Sequence, residues 1–208
     1  MIDTKMKPNQ WIAALIVCFG LTFISYEGLS AHPHVFIVER IKIVFDDKGL
    51  AGFRIQWEFD DMFTSMIAGD HDKNQNNILE SAEVAAIKEN AFSYTSNQDY
   101  FTFVKIDGKP FKISYINEFS AKLIDTKLVY EFFVPCHVVG TSSMKQVIVA
   151  SYDPTYYSAI YFAEKKPASM EQGDKFNIRT AIREDASTSI YYGMVHPWAL
   201  FLEFNLKP

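Results

Sequence analysis

The residues best suited to chemistry in this sequence are its five histidines, and two of them stand close together near the beginning of the chain. His32 and His34 are separated only by Pro33. Imidazole nitrogen is a ligand for Zn²⁺, Ni²⁺, Co²⁺ and Cu²⁺, so this pair predicts part of a transition-metal site. Pro33 has no backbone N–H to lose, which excludes the square-planar chelate that uses deprotonated backbone nitrogens. Further ligands must therefore come from elsewhere in the fold.

The candidates for those further ligands are spread along the chain. They are His71, His137, His196, Asp153 and Glu58. His137 follows Cys136 on a predicted strand, where adjacent side chains point to opposite faces, so these two make a poor chelate together. The alternative to the metal hypothesis is that His32 and His34 are only the first residues of a strand.

A second group of oxygen-bearing side chains lies in residues 72–83, which fit the twelve-residue calcium loop of an EF-hand. The predicted ligands are the side chains of Asp72, Asn74, Asn76, Glu80 and Glu83 and the carbonyl of Ile78. Calcium takes six to eight oxygens, and Glu83 would close the shell with both of its oxygens.

Three asparagines distinguish residues 72–83 from a strong calcium loop. Asn74 and Asn76 carry no charge, and Asn77 stands where the sharp turn normally requires glycine. We therefore expect a weak calcium affinity, with a dissociation constant of about 10⁻⁴–10⁻³ M. The alternative is a polar turn between two helices that binds no ion.

Residues 1–31 are typical of a signal peptide. Two lysines precede residues 11–26, which carry no charge and are fewer than the ~20 residues that a membrane-spanning helix needs. The small residues Gly28, Ser30 and Ala31 fit cleavage after Ser30 or after Ala31. Either cleavage would place His32 at or next to a free α-amino group, a third possible nitrogen ligand. We expect an exported protein; the alternative is an uncleaved N-terminal anchor.

Composition limits the remaining classes of function. The net charge of −5 favours neither nucleic acid nor an anionic lipid surface as a partner, and no direct lipid binding is expected. Cys136 is the only cysteine after the predicted signal peptide, which excludes an intrachain disulfide in the exported chain. Aromatic residues make up 15% of the chain and can form a large core. Residues 32–208 are therefore expected to form a single domain.

Hydrophobic periodicity predicts mostly β structure. Residues 35–45 and 53–59 alternate around a turn at 46–49, and Asp107-Gly108 predicts a second hairpin between residues 102–106 and 110–115. Helical spacing appears in residues 60–69 and 81–94. Further strands are predicted at 128–134, 146–152, 176–179 and 200–204, with a loop at 165–174. The predicted fold class is α+β, an antiparallel sheet or sandwich with an EF-hand-like helix-loop-helix inserted at about residues 60–95.

Five segments of the sequence form a recognisable set, namely residues 31–36 (AHPHVF), 57–63 (WEFDDMF), 72–83, 107–110 (DGKP) and 152–157 (YDPTYY). Together they resemble a family of uncharacterised periplasmic components of ABC-type transport systems, which implies that the exported chain lies in the periplasm. The resemblance implies an association with nickel/cobalt- or zinc-type transporters, and hence membrane transporter components as partners. It implies no activity. Relatives usually carry Asp, Asp and Gly where this chain has Asn74, Asn76 and Asn77.

Enzymatic motifs are not found in the sequence. It contains no recognised Ser or Cys nucleophile motif, no HExxH and no glycine-rich phosphate loop. We therefore expect a non-enzymatic accessory protein that binds or buffers a divalent transition metal, with calcium as a second ion. Two alternatives remain: an interaction module of a transporter complex without a transition metal, and a secreted copper protein that uses an N-terminal histidine.

Overall fold

The structure is a computed structural model that describes residues 33–208, and these belong to one compact unit. The strands are β1 (Val35–Phe45), β2 (Gly49–Phe59), β3 (Thr102–Ile106), β4 (Lys109–Phe111), β5 (Asn117–Ile124), β6 (Lys127–Val139), β7 (Lys145–Ser151), β8 (Ser158–Phe162), β9 (Ala168–Glu171), β10 (Phe176–Glu184) and β11 (Trp198–Leu206). The two α-helices are α1 (Asp61–His71) and α2 (Ser81–Ile87). A π-helical turn (Lys88–Phe92) and 3₁₀ turns (Ser93–Phe101) follow α2. No helix among these residues is long and apolar enough to cross a membrane.

The strands form two sheets. The first has the order β5-β6-β2-β1-β8, with β9 also paired to β1, and the second has the order β10-β11-β7-β3-β4. Neighbouring strands are antiparallel except where β8 and β9 pair with β1. The prediction of an α+β fold with antiparallel sheets and few helices is therefore confirmed, while the parallel edge was not predicted.

The β1–β2 hairpin forms as its alternation predicts, and the backbone at the end of its turn requires a glycine at position 49. The Asp46 carboxylate accepts hydrogen bonds from the backbone N–H groups of Lys48 and Gly49, at 2.7 and 2.9 Å. Gly49 has φ +155°, and a Cβ there would lie 2.1 Å from the carbonyl oxygen of Val138 on β6. Only glycine allows β6 to approach this end of β2 so closely.

Both sheets and the helical segment share one hydrophobic core. Trp57 of β2 packs edge-on against Phe132 of β6, with ring centroids 4.9 Å apart. Phe45 of β1 meets Phe204 of the second sheet at 5.2 Å. Phe92, from the π-helical turn, lies 5.2 Å from Phe132 and anchors the helical segment in the same core. Such aromatic pairs add to the free energy of burial.

Several elements differ from the sequence predictions. The predicted loop at 165–174 contains β9, and the strands β5 and β8 were not predicted. Strands β8 and β9 are short, and both are held by pairing with β1. The predicted helix at 81–94 ends as an α-helix at Ile87, and its π-helical continuation places Phe92 in the core. The strand predicted at 110–115 ends at Phe111, since the N–H of Ile113 donates to the Asp99 carboxylate instead, at 3.2 Å.

One acid interrupts the apolar row of β1. Glu39 lies between Ile37 and Ile41 on the core side and is only 1% exposed. Trp57 Nε1 donates to its carboxylate at 3.1 Å. Burial raises the pKa of Glu39 to about 7, and contacts with Ser151 of β7 and with Trp57 oppose that rise. The carboxyl group therefore changes charge inside the core near neutral pH.

We predict that Glu39→Gln removes a pH dependence of stability. The raised pKa means that the folded state binds more protons than the unfolded state between the ordinary value of 4.5 and about 7. The free energy of unfolding should therefore fall as pH rises through this window, by up to about 3 kcal/mol. Glutamine keeps an acceptor for Trp57, so the variant should match the parent at pH 4.5 and exceed it at pH 8 in urea denaturation.

The matched control is Glu171→Gln, which changes an exposed acid on β9. Its difference from the parent should stay small and nearly constant between pH 4.5 and 8. Parallel pH profiles for the parent and Glu39→Gln would contradict the assignment of Glu39 as the titrating group.

Candidate functional site

The loop between α1 and α2 is bounded by two well-formed helix ends. Asp60 caps α1, and its carboxylate accepts a hydrogen bond from the N–H of Phe63 at 2.9 Å. At the start of α2, Glu83 turns back and accepts a hydrogen bond from the N–H of Glu80 at 3.1 Å. These caps satisfy N–H groups that have no partner within a helix. They also hold Glu83 close to the loop.

The first half of the loop wraps around Asp72. This side chain is only 6% exposed, and its two oxygens accept hydrogen bonds from the N–H groups of Asn76 and Asn77, at 3.2 and 2.9 Å. Asn77 has φ +61°, the left-handed conformation expected at the position that glycine usually occupies. The backbone therefore makes the sharp turn even though glycine is absent.

The second half brings the remaining oxygen-bearing side chains to the same place. The side-chain N–H groups of Asn74 and Asn76 both donate to Glu80, at 3.2 and 2.8 Å. Glu83 accepts a second hydrogen bond, from the N–H of Lys73 at 2.9 Å. Of the side chains that the sequence selected, Asn74 and Asn76 are thus bonded directly to Glu80, while Asp72 and Glu83 are bonded to backbone N–H groups of the same loop. Ile78 lies in the same loop, with its N–H bonded to the Asn76 side chain at 2.8 Å.

The loop concentrates negative charge. Contacts with Glu83, and then with the amide groups of Asn76 and Asn74, lower the pKa of Glu80 to about 2. Glu80 is therefore ionised at neutral pH, next to Glu83 in the capping box that begins α2. Two amide N–H groups offset part of this charge. Rotation of those amides by 180° would present their oxygens in place of their nitrogens.

The histidine segment has a defined place at the start of β1. The N–H of His34 donates to the carbonyl oxygen of Tyr157 at 2.8 Å, and the imidazole ring lies 4.9 Å from the Tyr157 ring. The His34 side chain is exposed. His32 and the predicted signal peptide, residues 1–31, lie outside the described residues. The structure therefore places half of the predicted histidine pair.

Asp153 organises the turn that carries Tyr157. It is buried, and it accepts hydrogen bonds from the N–H groups of Thr155 and Ser158 at 2.8 and 3.0 Å. This is the role of an Asx turn, in which a carboxylate satisfies the backbone locally. Asp153 therefore has a structural function in this corner beside His34.

Asp60 connects the two candidate sites. One carboxylate oxygen accepts the α1 cap bond from Phe63, and the other accepts the N–H of Phe36 at 2.7 Å. The N–H of Asp60 in turn donates to the carbonyl of Phe36 at 3.0 Å. One side chain thus joins the histidine end of β1 to the helix that leads into the loop. Sequence reasoning missed this role, although an Asp directly before a helical period is a recognisable N-cap.

The other candidate ligands lie apart. His71 ends α1, and Glu58 faces Arg40 at 3.5 Å. His137 is exposed while its neighbour Cys136 is buried, as the strand geometry predicts. Nδ1 of His196 lies 2.8 Å from the carbonyl oxygen of Thr188. Within residues 33–208, no group of three or more His, Cys, Asp or Glu side chains is placed to hold a metal ion. The metal site that includes His32 and the calcium site of residues 72–83 therefore both stay predictions.

Two curated proteins are similar to this chain over about two thirds of its length. The "Uncharacterized 15.5 kDa protein in trpE 3'region" of Spirochaeta aurantia is 26% identical over 136 residues, which cover 65% of this chain and 96% of that protein. An "Uncharacterized protein" of Haemophilus influenzae is 27% identical over 146 residues, covering 69% of this chain and 68% of that protein. No solved structure matches the chain.

A family comparison covers more of the chain. Residues 15–191 match the family described as "Protein of unknown function (DUF1007)". The match includes the histidine segment, both helices and the loop between them. The chain therefore belongs to the DUF1007 family of proteins of unknown function.

Proposed function

We propose that this protein is an exported accessory protein of a transition-metal transport system, that it binds a divalent metal near His32 and His34, and that its interhelical loop binds calcium. The observation that supports the calcium part of the proposal is a loop between two capped helices in which Asn74 and Asn76 bond to Glu80 while Asp72 and Glu83 bond to the loop backbone. The EF-hand pattern of the sequence and the left-handed Asn77 support the same conclusion. The transition-metal part rests on the histidine segment and on the family resemblance.

Calcium would replace hydrogen bonds that now hold the loop together. The ion would take oxygens from the side chains of Asp72, Asn74, Asn76 and Glu80, the carbonyl of Ile78 and both oxygens of Glu83. The two amides must rotate so that their oxygens face the ion, which costs their hydrogen bonds to Glu80. This cost, together with the neutral asparagines, supports the expected affinity of about 10⁻⁴–10⁻³ M. Calcium would then act as a clip that holds α1 against α2.

The histidine end would supply the transition-metal site. The backbone N–H of His34 is bonded to Tyr157, and its side chain is exposed immediately before β1, two residues after His32 in the sequence. The predicted α-amino group of the exported chain adds a third nitrogen. The family resemblance supports delivery to, or buffering for, a membrane transporter component. The role is binding, with no catalytic residues.

Glu83→Gln should abolish stabilisation by calcium. At 5 mM Ca²⁺ and the expected affinity, the parent should gain about 1–2 kcal/mol and its Tm should rise by a few degrees. The variant should show almost no shift, because glutamine offers one neutral oxygen in place of two charged ones. Differential scanning calorimetry with and without calcium measures both. Glu89→Gln, an exposed change outside the loop, should retain the shift. A parent without any calcium shift would leave the loop as an empty turn.

The double variant Asn74→Asp/Asn76→Asp should have opposite effects on the calcium-free loop and on the calcium-bound loop. Without calcium the double variant should be less stable, since two amide donors to Glu80 become two repelling carboxylates. With calcium it should bind at least about tenfold more tightly, because the added charges attract the ion. Titration calorimetry and urea denaturation measure the two effects. Asn97→Asp, in an exposed position outside the loop, is the control. Unchanged calcium affinity in the double variant would show that these side chains are not ligands.

The exported protein should bind about one equivalent of Zn²⁺, Ni²⁺ or Cu²⁺ through its histidine end. His32→Ala with His34→Ala should remove this equivalent, while His137→Ala, an exposed histidine on β6, should keep it. Titration calorimetry with each metal, and the intact mass of the secreted protein, measure stoichiometry and the cleavage point. Equal stoichiometry in the parent and the double variant would favour an interaction module without this site. Copper-dependent oxidation by the exported protein would indicate the copper-enzyme alternative.

A further inference from the structure

A cleft of about 400 Å³ lies on the second sheet, on the face that points away from the core. Leu200, Leu202 and Phe204 of β11 are buried in the core, so Phe201 and Glu203 face the other way. The lining of the cleft includes Arg179, Arg183, Phe201, Ile148 and Glu203. Its volume lies within the range of small-molecule pockets, about 300–1,000 Å³.

The residues that stand opposite one another on β10, β11 and β7 explain the space in this cleft. Ala181 of β10 stands opposite Phe201, and Phe201 stands opposite Ile148 of β7. Arg179 and Arg183 flank Ala181 on the same face of β10, with their Cα atoms about 13 Å apart. Because alanine is small, a space opens between the two long side chains, above an apolar floor of Phe201 and Ile148.

Arg183 is oriented by the floor of the cleft. Its guanidinium carbon lies 3.7 Å from the centroid of the Phe201 ring. Cation–π attraction of this kind holds the planar group on the ring without using its N–H donors. These N–H groups therefore remain able to form the paired hydrogen bonds with which arginine binds a carboxylate.

The two arginines carry charge that the fold does not neutralise. Across residues 33–208, no ion pair or side-chain hydrogen bond involves Arg179 or Arg183. Glu203, the cross-strand neighbour of Arg179, instead accepts a hydrogen bond from Gln146 at 3.2 Å. Two cationic groups thus face one acid that is partly occupied elsewhere, and the cleft has an excess of positive charge in a protein whose net charge is −5.

We propose that this cleft binds a small organic carboxylate with a flat apolar body. The carboxylate would lie between Arg179 and Arg183, and the apolar body would pack on Ile148 and on the part of the Phe201 ring that Arg183 leaves uncovered. Charge complementarity selects the anion, and the apolar floor selects an organic molecule over a small inorganic ion. The site lies on the second sheet and uses none of the residues of the calcium loop or the histidine end.

Naphthalene-2-carboxylate is a suitable probe, with its neutral carboxamide and inorganic phosphate as comparisons. Ligand-observed NMR and titration calorimetry on the exported protein should show binding of the carboxylate and much weaker binding of the other two. Arg179→Gln and Arg183→Gln should each weaken binding by about tenfold or more, the loss of one charged hydrogen-bonding partner. Glu203→Gln should strengthen it several-fold, because it removes the one acid in the cleft.

Two further variants, together with thermal melts, distinguish a loss of binding from a loss of folding. Arg183→Lys keeps the charge and should lose part of the affinity, since lysine lacks the planar fork. Lys42→Gln removes an exposed charge on β1 of the first sheet and should leave binding unchanged. Thermal melts identify any variant that is unfolded. Equal binding of carboxylate and carboxamide, equal competition by phosphate, or unchanged affinity in folded Arg179→Gln and Arg183→Gln would each overturn the proposal.

Discussion

Trp57 packs edge-on against Phe132 in a core to which both sheets and the helical segment contribute, and the arrangement of the two sheets depends on that shared burial. The described residues contain one cysteine, Cys136, which is buried, and burial raises the pKa of its thiol to about 12. The fold therefore depends on packing. Truncation of a fully buried aromatic side chain costs about 3–5 kcal/mol, a large part of the stability of a typical domain.

The same core determines where polar chemistry can occur. Phe92 anchors the segment after α2, and Phe63 at the start of α1 stacks on Phe59 at 4.6 Å. The helical segment is therefore held near both of its outer ends by apolar contacts, and the loop between the helices is left to carboxylates and amides. Asp60 adds a polar link, since it bonds to both Phe36 and Phe63. Glu39 is the exception, an ionisable group kept inside the core by Trp57.

Local patterns were sufficient for a large part of the fold. The alternation of β1 and β2, the Asp107-Gly108 turn and helix α1 depend on neighbours within a few residues, and they form as predicted. The short strands β8 and β9 could not be predicted, because their partner is β1, more than 120 residues earlier in the chain. The end of β4 depends on Asp99, and the length of α2 depends on where Phe92 finds space in the core. These are tertiary effects that overrule local propensity.

By itself, the sequence determined the residue types and the spacing of the calcium-loop pattern. It also determined that Asn77 must adopt a left-handed backbone. Both follow from local sequence, because the hydrogen bonds of this loop join residues that are close together in the chain. The sequence also determined which strand face is apolar, since side chains alternate with a period of two. Only the tertiary structure decided that Glu39 is closed off from solvent, that Asp60 joins β1 to α1, and that Arg179 and Arg183 border one cleft. The physical reason is distance along the chain: each of these arrangements depends on strands or sheets that meet only when the whole core is buried.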